Sequence, residues 1–284
     1  MKNLAAFAIV IVIVIFVLGA CSATRLLYSF ADDFIEDQAE FYLLLDEDTE
    51  AYVDDKIDAF MDWHRTNMLP GYAAYLSRQA DTIEAAGRVD RDQVLRAMDG
   101  LRAQLEATVK GFTPFAGAVL AHHTGKVETG HLRDRLAERN EENREQLDEP
   151  AQERADDRAE RTQSNFERFT GDLNAAQLQI IRRHVATTLG DTKRRLDRRT
   201  RNSKRFIAFM TSGPKSEEIQ AFLNAMFLDP DAGAPKAEAQ FREARFQRFQ
   251  NLVADVLTSL SDAQRQNLIE SLRDFAEDFR AIAS

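Results

Sequence analysis

Trp63-His64-Arg65, followed by Leu69-Pro70 and Tyr72, is the stretch of this chain richest in side chains that could do chemistry. An indole, an imidazole, a guanidinium and a phenol so close together would line an aromatic pocket with a cationic rim, suited to an anionic or peptide ligand. The same residues also read as a packed corner, and that is the plainer reading. Trp63 would fill the core, His64 or Arg65 would cap carbonyls at a helix end, and Arg65 would pair with an acid of the preceding turns. His122, His123 and His131 do not make a metal site, because adjacent helical residues point about 100° apart and no close acid completes the set. No metal or cofactor is expected. The chain has no Gly-x-Ser-x-Gly turn, no His-Glu-x-x-His helix and no phosphate-cradling glycine loop, so no catalytic residue is assigned. A binding protein is expected ahead of an enzyme, with an enzymatic site beside Trp63 and His64 as the remaining alternative.

The second candidate is basic. Lys193, Arg194, Arg195, Arg198, Arg199, Arg201, Lys204 and Arg205 lie close together, with Leu196, Phe206 and Ile207 the apolar residues that interrupt or bound the charge and Asp197 the one acid among them. This surface would suit anionic lipid headgroups or lipopolysaccharide. The alternative is pairing with the acid-rich residues 30–62, whose only cation is Lys56, or with the charged residues 138–160. General nucleic-acid binding is not expected: the formal net charge is −10, and phosphate contacts need a basic surface.

The elements that must hold these residues begin with an address. Lys2 precedes an uncharged apolar run over residues 4–18, the pattern of a secretory signal. The run closes on Leu18-Gly19-Ala20-Cys21, which resembles the lipobox of bacterial lipoproteins. That resemblance implies a leader over residues 1–20, acylation of Cys21 and a mature chain that starts there, followed by a lipidated tether over residues 21–28. More than one acyl chain gives stable anchoring at about 0.8 kcal/mol per buried methylene. Ser22, where an Asp would imply inner-membrane retention, implies the periplasmic face of the outer membrane. The membrane is thus one partner, through Cys21. Since Cys21 is the only cysteine, acylation leaves no thiol for a disulfide or a thiolate metal site.

Glycine and proline are scarce and no stretch alternates with period two, so residues 29–284 are predicted to be all-α. The expected form is an elongated bundle of antiparallel amphipathic helices with one long charged arm. Residues 26–44 form a first helix, and Asp46 caps a second that buries Val53, Ile57, Phe60 and Trp63. Pro70 ends that helix or starts the next, which Gly87 stops. Asp90 and Gln93 cap a helix to about Lys110, and Thr113-Pro114 starts a short one. Residues 129–169 are densely charged and poor in leucine. They are predicted to protrude as an arm bent at Pro150, with local disorder the competing reading for residues 138–162. Asn174 and Gln177 cap a helix that runs to Met210 with a weak point at Gly190. Ser216 caps another, and the last two helices cover residues 236–259 and 261–282, the second capped by Ser261 and Gln264.

Two further resemblances follow. Leu173-Asn174-x-x-Gln177 and Leu260-Ser261-x-x-Gln264, with Leu45-Asp46-x-x-Thr49 as a weaker copy, resemble the Leu-Thr-x-x-Gln motif of small helical periplasmic chaperones of envelope stress. That implies a holdase for unfolded clients. Phe166-x-x-Phe169, Phe206-x-x-Phe209 and Phe246-x-x-Phe249 also recur, as in stacked hairpins or by coincidence. Trp63-His64-Arg65 with Leu69-Pro70-x-Tyr72, taken with the lipobox, Tyr28 and the Leu45-Asp46 helix start, resembles a family of uncharacterised bacterial lipoproteins with a domain of unknown function. This implies an address and a fold, and at most an envelope-protein partner.

Overall fold

A computed structural model describes residues 21–231 and 234–284; the leader over residues 1–20 lies outside the described residues. Among the described residues the chain is helical and contains no strand, an all-α multi-helix bundle.

The first helix, α1 (Cys21–Tyr28), occupies the segment expected to be a tether. It is docked instead, because Thr24 and Tyr28 are buried and Arg25 Nε donates to the buried Asp278 carboxylate at 2.7 Å. A break at Ser29 and Phe30 separates it from α2 (Ala31–Tyr42), so the single helix expected over residues 26–44 is two. Asp46 caps α3 (Glu47–Trp63), accepting from the Thr49 N–H at 3.0 Å, while the Asp46 N–H donates to Thr49 Oγ1 at 2.8 Å. A threonine hydroxyl therefore does here what glutamine does in the other boxes.

Pro70 stands in the first turn of a helix, as expected, but the chain does not break before it. A π-helical turn (His64–Met68) joins α3 to α4 (Leu69–Ala86), which ends at Gly87 in the left-handed region with φ 62°. Proline brings no N–H and its ring crowds the preceding turn of an α-helix. Widening that turn to a π bulge, with Leu69 N–H bonding His64 O, removes the conflict and keeps the two helices continuous. The next helix, α5 (Arg91–Ala121), likewise runs through Pro114, against the expected restart at Thr113. The Lys110 carbonyl that Pro114 cannot serve lies 3.3 Å from the Thr113 hydroxyl, which is also 3.1 Å from Asn224 Oδ1.

The charged residues 129–169 form two helices, α6 (Lys126–Glu145) and α7 (Ala151–Thr170), parted at Pro150. Neither stands free, and the competing disorder is replaced by helix at both ends of residues 138–162. Leu132, Leu136 and Asn140 of α6 are buried where it packs on α2 and the later residues 191–210, and α7 packs on two further helices through Ala155, Ala159 and Phe166. A narrow apolar stripe suffices because the facing helices bring their own charges.

The helix expected over residues 173–210 divides at Gly190 into α8 (Ala175–Thr188) and α9 (Asp191–Met210). Lys215, not Ser216, is the N-cap of α10 (Ser216–Leu228), its N–H donating to Glu218 at 2.8 Å. The chain ends in α11 (Lys236–Leu257) and α12 (Asp262–Ala283). A large core joins Phe60, Leu69, Tyr72, Met210, Leu223 and Phe279; each such fully buried large side chain contributes about 1.5–3 kcal/mol relative to exposure. α12 lies along α4 and also touches α1 and α7.

The two Leu-x-x-x-Gln motifs meet. Gln177 Nε2 donates to Gln264 Oε1 and to the Ser259 carbonyl, at 3.0 and 3.1 Å. Gln264 Nε2 donates to Gln177 Oε1 and to the Asp172 carbonyl, at 3.0 and 2.7 Å. Each amide oxygen also accepts its own N-cap N–H, from Asn174 at 2.9 Å and from Ser261 at 3.0 Å. Both glutamines are buried with every donor and acceptor used, and the two capping boxes are related by an approximate local two-fold. Nearby, Asn267 and Ser271 of α12 donate to the Thr170 and Phe169 carbonyls, at 3.0 and 3.2 Å, closing the end of α7.

Candidate functional site

Around the π turn, Trp63, His64, Leu69 and Tyr72 converge, whereas Arg65 and Pro70 face outward. Trp63 lies on Gly111 of α5, where any β-carbon would collide with its six-membered ring, and its own ring is 6.0 Å from that of Phe60. His64 is fully buried, its Nδ1 3.2 Å from the Tyr28 hydroxyl of α1 and its Nε2 without a protein partner. Burial pushes the His64 imidazole down to about 4, so it is neutral at pH 7. The Tyr72 hydroxyl bonds the Thr108 hydroxyl, which donates to the Gln104 carbonyl at 3.0 Å, and burial raises Tyr72 to about 12. Burial also holds the Tyr28 phenol well above its ordinary range. Neutral groups bonded to one another can position helices but offer little acid or base at neutral pH.

Arg65 pairs with Asp62 one turn back and does not rim an aromatic pocket. An apolar cavity of about 120 Å³ lies on the far side of Phe60, lined by Phe112, Phe115, Leu132 and Phe227; Trp63, His64 and Arg65 do not face it. Of the other histidines, His123 is buried, held below its ordinary value by burial first and by the neighbouring His122 second. No group of acidic, histidine or cysteine side chains able to hold a metal occurs among the described residues.

The basic residues of α9 split into two faces. Lys193, Arg201, Lys204 and Arg205 are exposed, while Arg194, Arg195, Arg198 and Arg199 are half-buried. Among the described residues no acid of residues 30–62 pairs with this run, and residues 138–160 meet it through a cation rather than an acid. Instead Asp197 of the same helix takes Arg144 of α6 at 2.8 Å and Lys193 at 3.0 Å, and Glu238 of α11 takes Arg194 at 3.4 Å and Arg201 at 3.5 Å. Arg194 also stacks over Phe241, 4.0 Å from its centroid.

The inner face looks into a cavity of about 470 Å³, within the range of small-molecule sites. Arg195, Arg198 and Arg199 meet Arg242 and Arg245 there, on a second basic helix. Burial, then the charges of Arg245, Arg158, Arg198 and Arg199, lower Arg195 to about 10. Burial, followed by Arg242 and Arg245, lowers Arg198 in the same way. Glu238 is the single acid on the wall; Tyr42, Leu136, Phe206 and Phe227 make its apolar side. The residues of α11 escape a sequence reading centred on the run in α9. Their signal is the three-residue spacing of Arg242, Arg245 and Arg248, which places them along one helix face.

The described residues thus form an all-α bundle that buries His64 and holds an arginine-lined cavity. The model of a family of unknown function, DUF6279, matches residues 41–236, and the chain belongs to that family. No curated protein and no solved structure matches the chain.

Proposed function

We propose that this protein is a lipid-anchored lipoprotein on the periplasmic face of the outer membrane, with a non-enzymatic role: binding a protein or another envelope component. The observation that carries this reading is the join between anchor and body. α1 begins at Cys21, the residue that the lipobox resemblance marks for acylation, and packs at once on α12, tied to it by Arg25 and Asp278, with Thr24 and Tyr28 buried and Tyr28 set against His64. A body joined so closely to its acyl chains lies against the membrane surface. Leu26 and Phe30, 58 % and 54 % exposed, follow on the same short stretch and suit the interface between headgroups and acyl chains.

Cys21→Ala is expected to leave an unprocessed and unlipidated precursor, and labelled fatty acid still entering that variant would sink the reading. Crosslinking in the intact envelope, followed by identification of the attached species, is expected to return a component that is lost with Cys21→Ala. A holdase is the second reading, favoured by the paired Leu-x-x-x-Gln caps. Suppression of aggregation of unrelated denatured clients would support it over a dedicated binder, which protects none.

A further inference from the structure

Four guanidinium groups at the cavity between α9 and α11, those of Arg195, Arg198, Arg199 and Arg245, have no carboxylate or hydrogen-bond partner among the described residues. An arginine without a partner on open surface is hydrated and carries no message. These four are half-buried about one space, and even Arg195, lowered to about 10, keeps its proton at neutral pH. The local acids are already engaged: Glu238 through Oε2 by Arg194 and Arg201, Asp231 by Arg242, Asp191 by Arg248 at 2.5 Å, and Glu142, whose charge also reaches Arg199, by Arg139 at 2.8 Å. Like charges held together with water partly excluded raise the energy of the empty site, and an anion entering it relieves that repulsion.

We propose that this cavity binds a phosphate-bearing anion with an apolar portion. Phosphate fits the donors, because planar guanidinium forks bond its oxygens in pairs, and a group of more than one negative charge offsets several cations where a single carboxylate leaves most unanswered. The apolar portion fits the opposite wall of Tyr42, Leu136, Phe206 and Phe227, since about 470 Å³ exceeds what a phosphate fills. A phospholipid headgroup and a soluble phosphate ester share this chemistry. The inference deepens the binding role proposed above and rests on it.

The test uses the full chain, extracted in a non-ionic detergent, with thermal unfolding and equilibrium dialysis against three probes. These are inorganic pyrophosphate, phosphatidic acid in mixed micelles and phosphatidylcholine in mixed micelles. Pyrophosphate or phosphatidic acid raises the Tm and binds; phosphatidylcholine, with no net charge, does neither. Equal response to the first two assigns the site to phosphate itself, and response to phosphatidic acid alone assigns it to the headgroup with its tail. The double variant Arg195→Gln/Arg198→Gln binds at least about tenfold more weakly, the loss of one charge-assisted contact or more. The control Arg133→Gln/Arg161→Gln, which removes the same charge from exposed pairs on α6 and α7, binds as the unsubstituted protein does.

Binding of neither anionic probe, or equal weakening in the control, overturns the proposal. If the double variant does not fold, phenylglyoxal modification of the unsubstituted protein replaces it: the anionic probe that binds slows modification of Arg195 and Arg198, and unchanged rates overturn the site. Anchoring is read separately through Cys21→Ala, which leaves the cavity untouched, so the two failures are distinguishable.

Discussion

Burial of His64 between Tyr28, Phe60 and Tyr72 ties the stability of the corner to pH. Its folded value of about 4 lies below the ordinary 6.5, so the unfolded chain binds the proton more readily. The stabilisation is complete above pH 6.5 and is lost as pH falls towards 4, by about 3 kcal/mol over the window. Burial lowers His123 and His184 as well, which adds to the same trend. His64→Phe is therefore expected to weaken, without abolishing, the fall in stability between pH 6.5 and 4, measured by urea unfolding with the sole tryptophan, Trp63, as fluorophore. An unchanged slope would mean that His64 titrates normally. Gly111→Ala is expected to cost about 1–3 kcal/mol in the same assay, because its methyl group must displace the Trp63 ring. That Trp63 packs against the core was legible in the apolar spacing of α3, although it is only partly buried there. Its dependence on Gly111 was not, since that contact joins two helices that no local pattern relates.

At the level of elements, the capping boxes were the strongest signals, and each forms where the spacing predicts it. What spacing cannot express is that the boxes of α8 and α12 share their glutamines. Substituting Gln177 or Gln264 by Leu is expected to cost about 1–3 kcal/mol each, because the partner amide is left buried with bonds unmade. The double substitution is expected to cost less than the sum of the two, with a coupling of about 0.5–3 kcal/mol in a double-mutant cycle. Full additivity would show that the pair does not act as a unit. Pro70 stands in the first turn of α4 as the local rule predicts, though no loop precedes it, whereas Pro114 was misleading because the same rule assigns it to a helix start. The π turn and the Thr113 hydroxyl are tertiary and side-chain answers to the missing bonds, and neither leaves a period in the sequence.

Across the whole molecule, helical class was legible from composition, whereas the placement of charge was not. Residues 129–169 read as an arm because their own apolar stripe is thin, yet α6 and α7 are packed by partners far along the chain. The run in α9 read as a surface, yet its inner face turns towards the arginines of α11. The start of the first helix read as a tether because residues 21–25 carry no apolar period of their own; the partner that fixes it is Asp278. Arg25→Ala is expected to lower stability by about 1–3 kcal/mol by leaving the buried Asp278 carboxylate unpaired, and to expose α1 to proteolysis.

The proposed role requires that Cys21 hold the body at the membrane. Mass spectrometry of the intact protein extracted from membranes tests this most directly. A mature chain that starts at Cys21 and carries the mass of a diacylglycerol thioether, with or without an amide-linked acyl chain, is the predicted result. An unmodified Cys21, or a chain that still carries residues 1–20, would contradict it.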